Sequence, residues 1–274
     1  MRILVTGATG TVGRHVVDRL LTSEVRVRAL TRRPESANLP SGVEVVGGDL
    51  DRPETVKPAL PGVDRLYLLA DGDTEEILDL ARGAGVRHVV VLSSATAAFD
   101  DDPNGMHHRA AELVVEKSGL AWTHLRPGMF ASNLLDWSQA IRTEGVVRAP
   151  YDAARQAPVH EADVAEVAVV ALLGREQHGK IYTLSGPQSL TKSEQIAEIA
   201  RGIGRPLRFE EVGPDQWREQ VRNQMPDYVA EWFIAYWAAT VDNPEPVLPD
   251  VEEVLGRPAR TLVEWAADHA ADFR

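Results

Sequence analysis

Residues 6–13 read TGATGTVG. The stretch follows a short apolar run at 2–6 (RILVT) and opens a segment of helical periodicity at 11–22. A strand that turns at once into a helix leaves little room for side chains. Gly7, Gly10 and Gly13 permit the tight turn and let backbone N–H groups approach a ligand without an intervening Cβ. The turn also leaves the first N–H groups of the helix unpaired, at the positive end of its dipole, where a phosphate is stabilised. The spacing is G-x-x-G-x-x-G and not G-x-G-x-x-G. Its position after the first strand, at the head of a βαβ unit, is the context that a dinucleotide-binding turn requires. The bland reading is a tight strand-to-helix turn with no ligand.

Working outward, apolar runs of strand length recur at 25–30 (VRVRAL), 43–46, 63–69, 87–92 and 121–125. Helix-period segments at 53–60, 74–84 and 106–118 lie between them. This alternation predicts an α/β fold, a Rossmann-like doubly wound parallel sheet covered on both faces. After residue 127 the rhythm changes. Helices are predicted at 130–142 and 161–173, a strand or loop at 145–149, and strands at 180–184 and 206–212. Thr191 and Glu194 form a capping-box pair, with Gly202 or Gly204 ending that helix. An aromatic tail follows, with a helical stripe in 228–238 and a Pro-rich connector at 244–249. The predicted organisation is a dinucleotide-binding domain at 1–155, onto which 161–173 and 180–184 pack back. A small, mostly helical substrate lobe spans 185–274.

The chain has 274 residues, 26% of them charged, and a net charge of −12, which argues against nucleic acid as a partner. The absence of cysteine excludes disulfides and thiolate metal sites, and no metal is predicted. No apolar stretch approaches the ~20 residues that span a bilayer, and MRILVTG is too short for a signal peptide. The expectation is a cytoplasmic protein, monomer or homodimer, acting on a small apolar or aromatic molecule.

The end of the second strand reads LTRRPES. Thr31 stands where NAD-preferring sites place an acid that accepts from the ribose 2′-hydroxyl. Arg32 and Arg33 follow it. A carboxylate repels a 2′-phosphate, whereas a guanidinium forks onto it, so NADP(H) is preferred over NAD(H). Asp49, in GGDL, either accepts from the adenine amino group or serves as a turn residue.

TGATGTVG, LTRRP, GDL, VVVLSS, HRAAE followed by SG, LRPGMFASN and PVHEADVAEVA occur in this order. Together they resemble the NmrA-like family of atypical short-chain dehydrogenases/reductases over nearly the whole chain. The resemblance implies a cofactor set of Gly7, Thr9, Gly10, Thr11, Val12, Arg32, Asp49 and Leu50. It places Leu69 and Ala70 beside the ribose, Ser93 near the nicotinamide ribose, and Pro127, Gly128, Met129 and Phe130 along the nicotinamide. Asn133, Trp137 and His160 become pocket-wall candidates. Some members of that family reduce quinones, enones or imines. Others bind the dinucleotide and report redox state to a partner.

Ordinary carbonyl reductases of this build carry a Tyr and, four residues later, a Lys. Here that spacing gives His108 and Glu112. Because the unperturbed pKa of histidine lies near neutrality, His108 is a candidate proton donor, with Glu112 one turn on to orient it. Ser93, Ser94 and Thr96 are candidates for hydrogen-bonding a substrate oxygen. The bland readings are hydrated histidines at a helix start and loop hydroxyls satisfied by backbone. Three functions stay open: an NADPH-dependent reductase, an NADP(H)-binding redox sensor, and a redox-neutral lyase or isomerase.

Overall fold

A computed structural model describes residues 1–99 and 103–274. In chain order the elements are β1 (Arg2–Val5), α1 (Thr11–Leu21), β2 (Arg26–Thr31), β3 (Glu44–Gly47), β4 (Arg65–Leu69), α2 (Thr74–Gly83), β5 (His88–Leu92), α3 (Pro103–Lys117) and β6 (Ala121–Pro127). Then follow α4 (Ser138–Glu144), β7 (Val146–Ala149), α5 (Glu161–Leu173), β8 (Lys180–Leu184), α6 (Lys192–Ile203) and β9 (Arg208–Glu211). The chain closes with α7 (Pro214–Val221), α8 (Asp227–Asp242), α9 (Asp250–Leu255) and α10 (Leu262–Asp268).

These elements form two compact units. The first comprises Met1–Gly128, Glu161–Leu184 and Pro249–Arg257; the second comprises Met129–His160, Ser185–Leu248 and Pro258–Arg274. The division falls elsewhere than the 1–155 and 185–274 blocks read from the sequence, because the chain leaves and re-enters the first unit twice.

The first unit is built on a seven-stranded sheet of order β3-β2-β1-β4-β5-β6-β8, parallel at every pairing. A parallel sheet needs crossover helices, and these bury both faces, which is why its strands read as nearly unbroken Val, Ile and Leu. Leu4, Leu66, Leu68, Val89 and Val91 share one core with Ile77 and Leu78 of α2 and Val115 of α3. Successive residues alternate between faces, so Ile3 and Val5 turn to the other side, and both are fully buried. The strand order reverses between β1 and β4, and a crevice opens at such a switch point, beyond the carboxyl ends of the strands. At the sheet's edge, Asp250 Oδ2 accepts the Thr183 N–H at 2.7 Å, which ties α9 to β8.

The segment at 53–60 is not one helix but two 3-10 turns, Pro53–Thr55 and Lys57–Ala59. Pro58 has no N–H for an i→i−4 bond and its ring collides with the preceding turn, so an α-helix cannot pass through it. Similarly, 130–142 begins as a 3-10 helix, Ala131–Trp137, before α4. Its entry is held by a backbone bond from Ala131 N–H to the Val159 carbonyl.

In the second unit, β7 pairs with β9 in parallel. The capping box predicted at Thr191 and Glu194 starts α6, and Gly204, in the left-handed conformation, ends it. Trp217 and Trp237 meet edge to face in the core of this unit, with ring centroids 4.8 Å apart. Lys192, at the first position of α6, is fully buried beside them. Its Nζ lies 4.2 Å from the centre of the Trp237 ring and has no hydrogen-bond partner among the described residues.

Burial pushes the Lys192 amine down from 10.5 to about 7, while Asp152 and Glu211 pull it the other way. Between pH 7 and 10 the unfolded chain therefore binds more protons than the folded one, and stability rises with pH across that window. Lys192→Met removes the buried amine and keeps its length. The variant is expected to be more stable at pH 7 by about 1 kcal/mol or more. Urea unfolding at several pH values checks this; the variant's stability should also be flatter from pH 7 to 10.

Candidate functional site

The candidate site of the first unit lies at the carboxyl ends of β1, β2, β4 and β5. Gly7 adopts φ +59°, a left-handed conformation that favours glycine. Its carbonyl accepts the Gly10 N–H at 2.9 Å. A Cβ on Gly13 would collide with that same carbonyl oxygen, so the third glycine lets α1 sit directly on the turn. Gly7, Thr9, Gly10 and Thr11 are exposed along the rim, and Val12 and Gly13 are buried. Among the described residues no side chain caps α1, and its first turn holds no acid, so the N–H donors there are left for another acceptor.

Thr6 was not singled out in the sequence, yet it joins β1 to β4 across the switch point. Its fully buried hydroxyl donates to the Tyr67 carbonyl at 3.1 Å and accepts the Leu69 N–H at 2.8 Å. This places Leu69 beside the turn, 3.6 Å from where a Gly7 Cβ would stand. Ala70 follows it, buried. Arg32 and Arg33 are exposed beyond β2, and the Arg33 N–H donates to Thr31 Oγ1 at 3.3 Å. Asp49 does turn work: its Oδ1 accepts the Asp51 N–H at 3.3 Å, and its own N–H donates to Thr55 Oγ1 at 2.8 Å. Leu50 directs its carbonyl at Gly72, where a Cβ would strike it.

Beyond β5, Ser93 is buried and its N–H donates to the Leu125 carbonyl at 2.8 Å. Ser94 caps a short 3-10 turn by accepting the Thr96 N–H at 3.2 Å, and the two hydroxyls lie 2.8 Å apart. His108 is half-buried on α3. Glu112, one turn on, is fully buried and gripped from β6. Arg126 Nε and Nη2 donate to its two oxygens at 2.8 and 2.5 Å, and Arg109 Nη1 adds a contact at 3.2 Å. Burial pushes this carboxyl up, but the Arg126 guanidinium, Ser93 and His124 together outweigh it and hold the pKa below its ordinary value of 4.5. Glu112 thus secures the end of β6, immediately before Pro127 and Gly128, and Gly128 N–H donates onward to Leu184 O on β8 at 2.9 Å.

Glu112, Glu116 and His124 lie close enough together to hold a cation. Arg109 bonds both carboxylates and Arg126 bonds Glu112, so these positive charges already occupy the acids. His124, stacked on Trp122 with centroids 4.4 Å apart, is driven towards its neutral form by burial.

In the second unit, Met129, Phe130 and His160 are brought together by pairing across Val159. Val159 N–H donates to the Met129 carbonyl at 2.8 Å, and Phe130 bridges Val159. His160 is buried, with Nε2 3.4 Å from Asp268 Oδ2. Trp137 and Met129 pack against the core formed by Leu134, Trp265 and Phe273, while Asn133 is exposed.

A family model described as NAD(P)H-binding matches residues 7–174. The chain is 43% identical to the (4-alkanoyl-5-oxo-2,5-dihydrofuran-3-yl)methyl phosphate reductase of Streptomyces griseus, with 99% of each chain covered. It is 34% identical to the NAD(P)H azoreductase of Xenophilus azovorans, again over 99% of each. Among solved structures, the NADPH-dependent quinone oxidoreductase of Escherichia coli superposes with a TM-score of 0.82 at 23% identity, covering 97% of this chain and 98% of the other. The triphenylmethane reductase of Citrobacter superposes with a TM-score of 0.84 at 22% identity, covering 98% and 99%.

Truncation at Glu112 leaves the half-buried Arg126 without its counter-charge. Glu112→Ala is expected to cost about 3–5 kcal/mol of folding stability. Glu112→Gln, which keeps the volume and one acceptor, should cost less. Because the Glu112 pKa is lowered, its contribution is present above the unfolded value near 4.5 and is lost as pH falls through the folded value. Acid unfolding of Glu112→Gln should therefore lose part of its pH dependence below 4.5.

Proposed function

Because the chain belongs to the NAD(P)H-binding family, we propose that it passes hydride from NADPH to a small, flat, conjugated electrophile. With reductases as relatives at 43% and 34% identity over essentially its whole length, it is an NAD(P)H-dependent oxidoreductase of the atypical short-chain dehydrogenase/reductase type. The observation that carries the reading is the head of α1, an uncapped helix start seated on a left-handed glycine with no acid in its first turn. That cradle suits a pyrophosphate, with the amides of Thr11, Val12 and Gly13 as donors and Thr9 and Gly10 in the turn.

When bound, the reduced nicotinamide supplies the hydride. The chain's own residues position it. Arg32 and Arg33 take the 2′-phosphate, which selects NADPH over NADH. Asp49 and Leu50 serve the adenine, and Leu69, Ala70 and Ser93 serve the riboses. Pro127, Met129 and Phe130 border the nicotinamide. Asn133, Trp137 and His160 face the substrate. Thr96 orients the acceptor's oxygen and His108 donates the proton. Glu112 acts through Arg126 by holding the strand end that carries Pro127, and it lacks the cationic role of the usual Lys.

That difference selects the substrate class. An unactivated ketone becomes an alkoxide on hydride addition and depends on a strong local acid. A double bond conjugated to one or more carbonyls becomes a delocalised enolate, which picks up its proton from His108 or from water. The name of the Streptomyces griseus relative describes a ring double bond flanked by a lactone carbonyl and an alkanoyl group. Acyl butenolides and quinones are accordingly the best candidate substrates.

NADPH consumption should be steady with acyl butenolides and quinones and at least roughly 10²-fold slower with simple ketones. Faster turnover of ketones would overturn the substrate class. His108→Ala should lower turnover of the enone by about tenfold or more, while the NADPH Kd stays within about twofold. A second reading, an NADP(H) sensor, is favoured by one observation: Tyr228 and Trp232 on α8 are 76% and 45% exposed, an apolar surface suited to a protein partner. Tight coenzyme binding without turnover of any acceptor would support it.

A further inference from the structure

We propose that Arg14 provides a further guanidinium to the 2′-phosphate, working with Arg32 to select NADPH over NADH. The inference rests on the coenzyme reading above.

Arg14 is the fourth residue of α1, and its sign is wrong for its place. Cations are disfavoured at a helix N-terminus and acids favoured. Several other helices follow that rule: Glu75 and Glu76 start α2, Glu194 starts α6, and Glu264 starts α10, whereas α3 and α4, like α1, carry no acid in the first turn. The first turn of α1 has no acid and is followed directly by Arg14. An anion bound at this end removes the penalty. Helical side chains also lean towards the N-terminus, which carries this guanidinium up towards the crevice and not down the helix.

The direction it takes identifies which anion. Arg14 Nη1 donates to the Asn38 carbonyl at 3.4 Å. Asn38 lies in the loop that begins with Arg32 and Arg33, and it adopts φ +46°. The guanidinium therefore reaches across from α1 to the loop beyond β2, the side on which a 2′-phosphate is expected, and not back onto the Gly7–Gly10 turn. One long bond to a neutral carbonyl leaves most of its five donors for another acceptor.

The surrounding charges agree. Arg19, further along α1, pairs with Glu166, and Arg28 of β2 pairs with Glu44. Arg14, Arg32 and Arg33 are all exposed and make no ion pair with a carboxylate among the described residues. In a chain of net charge −12, three guanidiniums at one corner without acidic partners form a site for an anion.

The test is isothermal titration of the full-length protein and of Arg14→Ala, Arg14→Lys and Arg32→Ala with NADPH, NADH and 2′,5′-ADP. Circular dichroism confirms the fold of each variant. Arg14→Ala is expected to weaken NADPH and 2′,5′-ADP by about tenfold or more and NADH by less than about twofold. Arg14→Lys, which keeps the charge but loses the fork, should fall between. Equal weakening of NADPH and NADH would place Arg14 on the shared pyrophosphate and overturn the inference, as would no change with either. In both cases a wild type that binds NADPH, with a selective loss in Arg32→Ala, leaves the coenzyme reading standing. A wild type that binds neither coenzyme at millimolar concentration removes the reading and the inference together.

Discussion

The packing of α1 onto the Gly7 carbonyl is the constraint on which the site depends. Any side chain at position 13 would force the helix away from the turn. The helix start would then no longer face the switch point between β1 and β4, and its free N–H groups would open onto solvent. Thr6 locks the other side by bonding both Tyr67 and Leu69 with one buried hydroxyl. A glycine that removes bulk and a threonine that adds two hydrogen bonds thus set one geometry, in which β1, β4 and α1 meet.

A second interaction fixes the end of β6. Where related folds use a Tyr and a Lys, this chain has His108 and a glutamate committed to Arg126. A carboxylate held by a bidentate guanidinium, in full burial, stays ionised and fixed. It stiffens the end of β6 and supplies no cation of its own. Under the proposed function His108 is the side-chain proton donor that remains, and an acceptor that delocalises negative charge depends on it least.

Charge is distributed to the same end. The net charge is −12, yet Arg14 at the head of α1 and Arg32 and Arg33 after β2 lack acidic partners among the described residues. Other arginines are engaged in structure: Arg257 bonds both Asp163 and Glu166, and Arg218 bonds Asp215 and Glu231. Under the proposed function, these three guanidiniums meet the coenzyme's phosphate.

The sequence by itself determined the doubly wound sheet, because period-2 and period-3.6 patterns and the TGATGTVG turn are local features whose physics does not depend on distant residues. It also determined the capping box of α6 and the basic loop after β2. Only the tertiary structure decided that Glu112 belongs to Arg126, that Thr6 joins two strands, that Lys192 is buried under Trp237, and that residues 129–160 group with the later part of the chain. Each of these depends on partners 14 to more than 60 positions away, or on how closely two elements approach. Side-chain type states what a residue is able to bond; which of many equivalent partners it meets is set by packing, and no local pattern encodes that.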